Sequence, residues 1–285
     1  MQTLRLGIDI GGSSVKAVAL DGDRPLWQGQ SKPYSRPNAE QLSAAIVESA
    51  NNRIAKDSSI IVGLCVPGIL DLPNRRVTLA VNVPGLTEAP LDQLLQNALG
   101  PYANLKWIGS DAVAATADVA HAKHLAGRVF ALAIGTGVGG AILDDGRPLL
   151  VSGNSPGHWG QVDVSLAGED VIAPDGGAGG LEGYISTAAM QKRYGSEDIP
   201  AICAKLTGND VPIRALVRAI RIAHAIYRPQ HVVLVGGIGI QLNQLTEEIH
   251  RQVSTNLTSV ARPEWTLTAG NDAWHAARGA AMLAG

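Results

Sequence analysis

Apolar residues occupy every second position through Leu4, Leu6, Ile8 and Ile10, the period of a strand with one buried face. Gly11-Gly12-Ser13-Ser14 then interrupts the run, and Val15 to Leu20 resumes it before Asp21-Gly22-Asp23, which predicts a β-hairpin. Pro25 to Gln30 predicts a third strand. Pro33 and Pro37 break regular structure, and Asn38 is placed to cap a helix running through Leu42, Ile46 and Val47 toward Ile54. Ser59 to Val66 and Leu105 to Gly109 read as strands. Ser110-Asp111-Ala112 opens an alanine-rich helix to about His124. A second strand–glycine–strand segment follows in Val129 to Leu143, VFALAIGTGVGGAIL, with a further strand expected over Pro148 to Ser152. Helices are predicted for Glu182 to Tyr194, Val211 to Tyr227, Gln241 to Val253 and Asp272 to Leu283, and a strand for His231 to Val235.

Composition narrows the classes. A chain of 285 residues with 46% hydrophobic residues can bury a sizeable core and hold two domains. A net charge of -2 and 4% aromatic residues give no basic, stacking surface for nucleic acid. The two cysteines, Cys65 and Cys203, sit in apolar surroundings and read as buried thiols. With neither a leader-like N-terminus nor a membrane-length apolar run, the expectation is a cytoplasmic protein without a membrane partner.

The two glycine turns carry the candidate chemistry. Gly11 and Gly12 let backbone N–H groups approach an anion, and Asp9 at the strand end can hold a hydrated Mg²⁺. DIGGSSVKA, GTGVGG and VLVGGI (Val233 to Ile238) resemble, in order, the phosphate-1, phosphate-2 and adenosine motifs of the sugar kinase, Hsp70 and actin superfamily. Within it the chain resembles the ROK family of bacterial sugar kinases and sugar-responsive repressors. The resemblance implies an α/β, two-lobed, ribonuclease H-like fold with a nucleotide and sugar cleft between lobes. Its expected lobes are residues 1–124, completed by helix 272–285, and residues 125–271.

By the same resemblance, Asp9, Gly11, Gly12, Ser13, Lys16, Gly135, Thr136, Gly137, Gly236 and Gly237 bind ATP and its phosphates, with Mg²⁺ reached from Asp9 through water. Asp111 stands where the family carries its general base; read from the chain alone, it is a helix N-cap. Asn82, in Asn82-Val83-Pro84-Gly85, matches a family asparagine that reaches sugar hydroxyls, and alone it is a turn residue. Ser110 replaces the asparagine that precedes the family's base, so the sugar contact expected at that position is shortened.

Counting without gaps from the GTG turn, the family's Glu-x-Gly-His falls on His158-Trp159-Gly160-Gln161. Its zinc-binding Cys-x-Cys-Gly-x-x-Gly-Cys-x-Glu falls on Ala173 to Glu182. Gln161, Ala173, Asp175 and Gly180 then occupy all four ligand positions, whereas a zinc site needs imidazole and thiolate donors. No zinc is expected. Glu182 matches a sugar-contacting glutamate outright. His158 stands in place of a carboxylate and is a sugar contact or a surface-loop histidine.

Together these residues and the resemblance predict an ATP-dependent carbohydrate kinase that takes Mg²⁺ with its nucleotide. Its partners would be a small sugar and a nucleotide, with a homodimer common in the family. The rivals are a catalytically weak sugar sensor, a polyphosphate-dependent sugar kinase and a non-enzymatic nucleotide-binding scaffold. Against a repressor, DIGGSSVK begins within ten residues of Met1, so no DNA-binding helix-turn-helix is expected ahead of it. Arg214, Arg218, Arg221 and Arg228, off the apolar face of their helix, read as a solvated row.

Overall fold

A computed structural model of the chain describes residues 4–50, 53–54, 59–151, 155–261 and 264–285. They form two compact units, one of Met1–Asp118, Leu150–Ser155 and Trp274–Gly285, the other of Val119–Leu149 and Pro156–Ala273.

The first unit begins with β1 (Leu4–Ile10), β2 (Val15–Asp21) and β3 (Arg24–Gln30), an antiparallel meander. Helix α1 (Ala39–Ser49) follows, starting at the expected cap. Asn38 accepts the Gln41 N–H at 2.8 Å, and the Gln41 side chain accepts the Asn38 N–H at 3.0 Å. It stops at Ser49, short of Ile54. Then come β4 (Ile60–Cys65), a small hairpin of β5 (Ile69–Asp71) and β6 (Arg76–Leu79), α2 (Leu91–Leu99), β7 (Ala103–Gly109) and α3 (Asp111–Ala122). The main sheet runs β3-β2-β1-β4-β7, with β1, β4 and β7 parallel. Its core joins Leu6, Ile8 and Ile10 to Leu42, Ile46, Leu64 and Leu95.

The second unit repeats this order. Strands β8 (Arg128–Ile134), β9 (Val138–Asp144) and β10 (Arg147–Pro148) are antiparallel. The strand expected over Pro148 to Ser152 is confined to Arg147 and Pro148, and Ser152 lies outside the described residues. The helix expected over Glu182 to Tyr194 is two, α4 (Glu182–Ile185) and α5 (Thr187–Tyr194), because Ser186 adopts extended backbone and caps α5 through the Ala189 N–H. There follow α6 (Ile199–Cys203), α7 (Val211–Tyr227), β11 (His231–Val235), α8 (Gly236–Gln241), α9 (Thr246–Thr255) and β12 (Thr266–Ala269). The sheet order is β10-β9-β8-β11-β12, with β8, β11 and β12 parallel. On α7, Ile213, Leu216 and Ile220 are buried, while Arg214, Arg218 and Arg221, and Arg228 just past the helix end, are exposed as expected.

Helix α10 (His275–Leu283) closes the first unit by lying against β1, β2 and β4. Glycine is required where it crosses the sheet. A Cβ at Gly7 would fall inside the Ala277 carbonyl, and one at Gly63 inside the Ala280 carbonyl. Both obstacles are backbone and cannot swing aside. Gly7→Ala is therefore expected to lower stability by about 1–3 kcal/mol, read as a fall in urea midpoint with an unchanged m-value.

Candidate active site

The first unit gathers five polar groups at one end of its sheet. Strand register places Lys16, Asp9, Cys65 and Gly109 side by side on β2, β1, β4 and β7. Gly109 leads through Ser110 into α3, so the carboxylate of Asp111 arrives at the same end. The turn Gly11–Ser14 leaves β1 there too, and Asn82 lies beside it, since a Cβ at Gly12 would be 3.8 Å from that of Asn82.

The helix cap differs from the expectation. The Ser110 hydroxyl, not the Asp111 carboxylate, accepts the Val113 N–H, at 3.3 Å. Asp111 is the first residue of α3, and only its Oδ1 is engaged, by the Ala112 N–H at 2.7 Å. Oδ2 accepts no hydrogen bond among the described residues. Ser110, expected as a sugar contact, spends one lone pair of its hydroxyl on the helix and keeps its O–H, while Asp111 keeps one oxygen open.

The electrostatics follow from crowding two acids. Asp9 is half-buried, and its pKa is raised to about 7, first by desolvation and then by the Asp111 charge, against the opposing pull of Lys16. Asp111 is open to solvent on one side yet closely surrounded by protein. Desolvation raises its carboxyl, and the N–H groups of Ala112 and Asp111 and the charge of Lys16 oppose the rise. Burial, with Asp9 and Asp111 nearby, pushes the Cys65 thiol up and keeps it protonated. A pair of carboxyls shifted toward neutrality suits proton transfer near neutral pH.

The second unit holds the other candidate residues. Between β8 and β9, the Gly135 N–H donates to the Gly137 carbonyl at 2.9 Å. The Gly135 carbonyl accepts both the N–H of Thr187, at 2.8 Å, and its hydroxyl, at 3.0 Å. Gly236, with φ of 83°, packs where any Cβ would meet the Ile134 carbonyl. A Cβ at Gly135 would lie 3.9 Å from the Gly237 nitrogen. The Gly135–Gly137 and Gly236–Gly237 segments are therefore neighbours, and Thr136 and Gly237 are exposed.

Glu182 lies against the same turn. Its Oε2 accepts the Val138 N–H at 2.8 Å, and only glycine leaves room for that carboxylate at Gly137 and Gly160. His158 is exposed, its carbonyl accepts the Gln161 N–H at 3.0 Å and its imidazole makes no hydrogen bond among the described residues; the next residue, Trp159, is buried against Phe130, their ring centroids 4.4 Å apart.

Three of the four positions that zinc ligands would occupy, Gln161, Ala173 and Gly180, are adjacent. A Cβ at Gly180 would be 3.0 Å from that of Ala173 and 3.8 Å from the Cα of Gln161. A methyl group and a hydrogen stand where two donors would be required. Asp175 is turned instead to the Gly177 N–H, at 3.2 Å. The segment is held by backbone bonds: Ala173 N–H to the Gly177 carbonyl, Val164 N–H to Gly179, and Gly179 N–H to Val171, at 2.8, 2.9 and 2.8 Å.

Sequence reasoning did not find three features of these sites: Tyr34 against the Gly11 turn, Thr187 against the Gly135 turn, and Val138 as the partner of Glu182. Each pairs residues distant in the chain and leaves no local signature.

The comparisons agree with this architecture. The ROK family model matches residues 5–285. An N-acetyl-D-glucosamine kinase of Vibrio parahaemolyticus is 25% identical over 97% of this chain and 98% of its own. Among solved structures, a ROK hexokinase from Thermus thermophilus aligns over 99% of this chain and 98% of its own with a TM-score of 0.70 and 22% identity. A ROK family glucokinase from Streptomyces griseus, solved with glucose and AMPPNP, aligns over 99% of both chains with a TM-score of 0.71 and 20% identity. These likenesses show the two-lobed sugar kinase fold, and the chain belongs to the ROK family.

Proposed function

We propose that this protein is an ATP-dependent carbohydrate kinase that moves the γ-phosphoryl group to a hydroxyl of a hexose, amino sugar or related polyol. The observation that carries the reading is Asp111, a carboxylate freed of capping duty by Ser110, with one oxygen open and its pKa raised. Asp111 Oδ2 accepts the proton of the sugar hydroxyl as that oxygen bonds to the γ-phosphorus, and the bond from γ-phosphorus to the bridging oxygen breaks to release ADP. Asn82 and Glu182 are the sugar contacts, and His158 replaces a carboxylate contact with an imidazole.

In this reading the phosphates take the amides these turns leave unused, Gly12 and Ser13 in the first and Thr136 and Gly137 in the second, the Gly11 and Gly135 amides being spent within their turns. Lys16 adds a positive charge. A cavity of about 610 Å³ in the second unit, lined by Gln241, Asn243, Thr246, Thr268 and Asn271 near α8, supports a donor with a nucleoside end over bare polyphosphate. Mg²⁺ fits the donor chemistry at Asp9, a hard oxygen whose charge is repelled by Asp111 and only partly met by Lys16. Asp9 would hold the ion, which would supply neutralising charge to the phosphates. The residues at the former ligand positions do not fit zinc, and the reading includes none. No described helix is long and apolar enough to cross a membrane.

Mg·ATP turnover measured across hexoses, N-acetylhexosamines and polyols, with metal analysis of the purified protein, tests the proposal. ADP release that one sugar accelerates, with substoichiometric zinc, is the expected result. Absence of stimulation by any sugar, with ATP or polyphosphate, together with a sugar-dependent rise in melting temperature, would favour the sensor.

A further inference from the structure

A turn presents its amides to an anion best when its carbonyls face away and are held there by other donors. In the Gly11–Ser14 turn the Ser14 carbonyl accepts the Gly11 N–H at 3.0 Å, and the Ser13 carbonyl accepts the Tyr34 N–H at 2.8 Å. The Gly11 carbonyl accepts the Tyr34 hydroxyl at 2.7 Å, from 23 residues away. By contrast, the amides of Gly12, Ser13 and Ser14 donate to no protein group among the described residues. The segment that brings Tyr34 there is itself fastened: Ser31 donates its N–H to the Val15 carbonyl at 2.9 Å and accepts the Val15 N–H on its hydroxyl at 3.0 Å.

We propose that Tyr34 is a positioning residue for the nucleotide's phosphate chain. Its hydroxyl and backbone N–H occupy the Gly11 and Ser13 carbonyls, so that the turn offers phosphate a set of N–H donors and few competing lone pairs. The inference rests on the kinase reading and deepens it. Burial and the neighbouring Asp9 push the Tyr34 phenol above its ordinary range, so it remains a donor throughout the working pH range. The second unit solves the same problem differently, with Thr187 on the Gly135 carbonyl.

Tyr34→Phe removes the hydroxyl bond alone, and titration calorimetry with Mg·AMPPNP reads its effect without turnover. Nucleotide binding is expected to weaken about three- to ten-fold, the worth of one hydrogen bond. KM for ATP rises by the same factor, while kcat, KM for the sugar and melting temperature hold. Gln30→Ala, which deletes the 2.9 Å bond to the Ser14 hydroxyl and frees no carbonyl, leaves nucleotide affinity at the wild-type value. Wild-type nucleotide affinity in Tyr34→Phe overturns the inference. So does a loss that falls equally on nucleotide, sugar and melting temperature, since that marks a purely structural residue. If wild type binds Mg·AMPPNP but phosphorylates no sugar, the kinase reading fails while the calorimetry still decides the role of Tyr34. If wild type binds no nucleotide, both fail.

Discussion

Asp111→Asn is expected to lower sugar-dependent kcat by about 10²–10⁴-fold with little change in melting temperature. The substitution keeps the shape of the side chain and an oxygen to accept the Ala112 N–H, and the start of α3 stays capped by the Ser110 hydroxyl. What it removes is the basic oxygen, Oδ2. Loss of activity without loss of fold would therefore report proton acceptance. Removing the Asp111 charge also relieves one of the two causes that raise Asp9, so the pH profile of any residual activity shifts to lower pH. A coupled ADP assay beside a thermal melt checks both points; a kcat within about three-fold of wild type would remove Asp111 from the chemistry.

Asp9→Asn is expected to move stability and activity in opposite directions. The Asp9 carboxyl titrates near 3.8 when unfolded and at about 7 when folded. Between those values the folded protein binds the proton more tightly than the unfolded chain, so stability rises as pH falls from 7 toward 4. Above 7 the native state carries the full cost of a poorly solvated, ionised Asp9. Asp9→Asn abolishes that cost, and at pH 8 without Mg²⁺ the variant should be more stable by about 1–4 kcal/mol. The gain should shrink steadily toward pH 4. Activity should fall, with Mg²⁺ affinity in the presence of nucleotide weakened by about 10–100-fold, because a carboxylate that orders the ion's water shell is gone. Denaturation midpoints at several pH values and a Mg²⁺ titration of turnover read the two effects; a variant less stable than wild type at pH 8 would contradict this account of Asp9.

Much of this was legible in the sequence because the governing interactions are local. The alternating run at Leu4–Ile10 and the continuous apolar run at Val129–Ile134, each ending on glycines, identify strands that lead into turns, and Asn38 with Gln41 three residues on identifies a capped helix. The lost donors at Ala173 and Gly180 are visible as residue types alone. The structure alone supplies whatever depends on a distant partner. Asp111 reads as a cap until Ser110 is seen in that role. Glu182 gives no hint that it holds the Val138 amide, 44 residues away. The β5–β6 hairpin left little local pattern, being short and fastened by distant partners, whereas α2 was readable, since Leu91, Leu94, Leu95, Ala98 and Leu99 recur at helical spacing and are its buried face. The break at Ser186 is set by its own capping of α5, which overrides the helical periodicity around it.

Phosphorus-31 NMR of wild-type protein with Mg·ATP and the sugar that most accelerates ADP release tests the central claim most directly. The account predicts a new phosphomonoester resonance growing in step with ADP, little free phosphate, and neither signal growing appreciably with Asp111→Asn. ADP accompanied only by inorganic phosphate, or no ADP with any sugar, would contradict it.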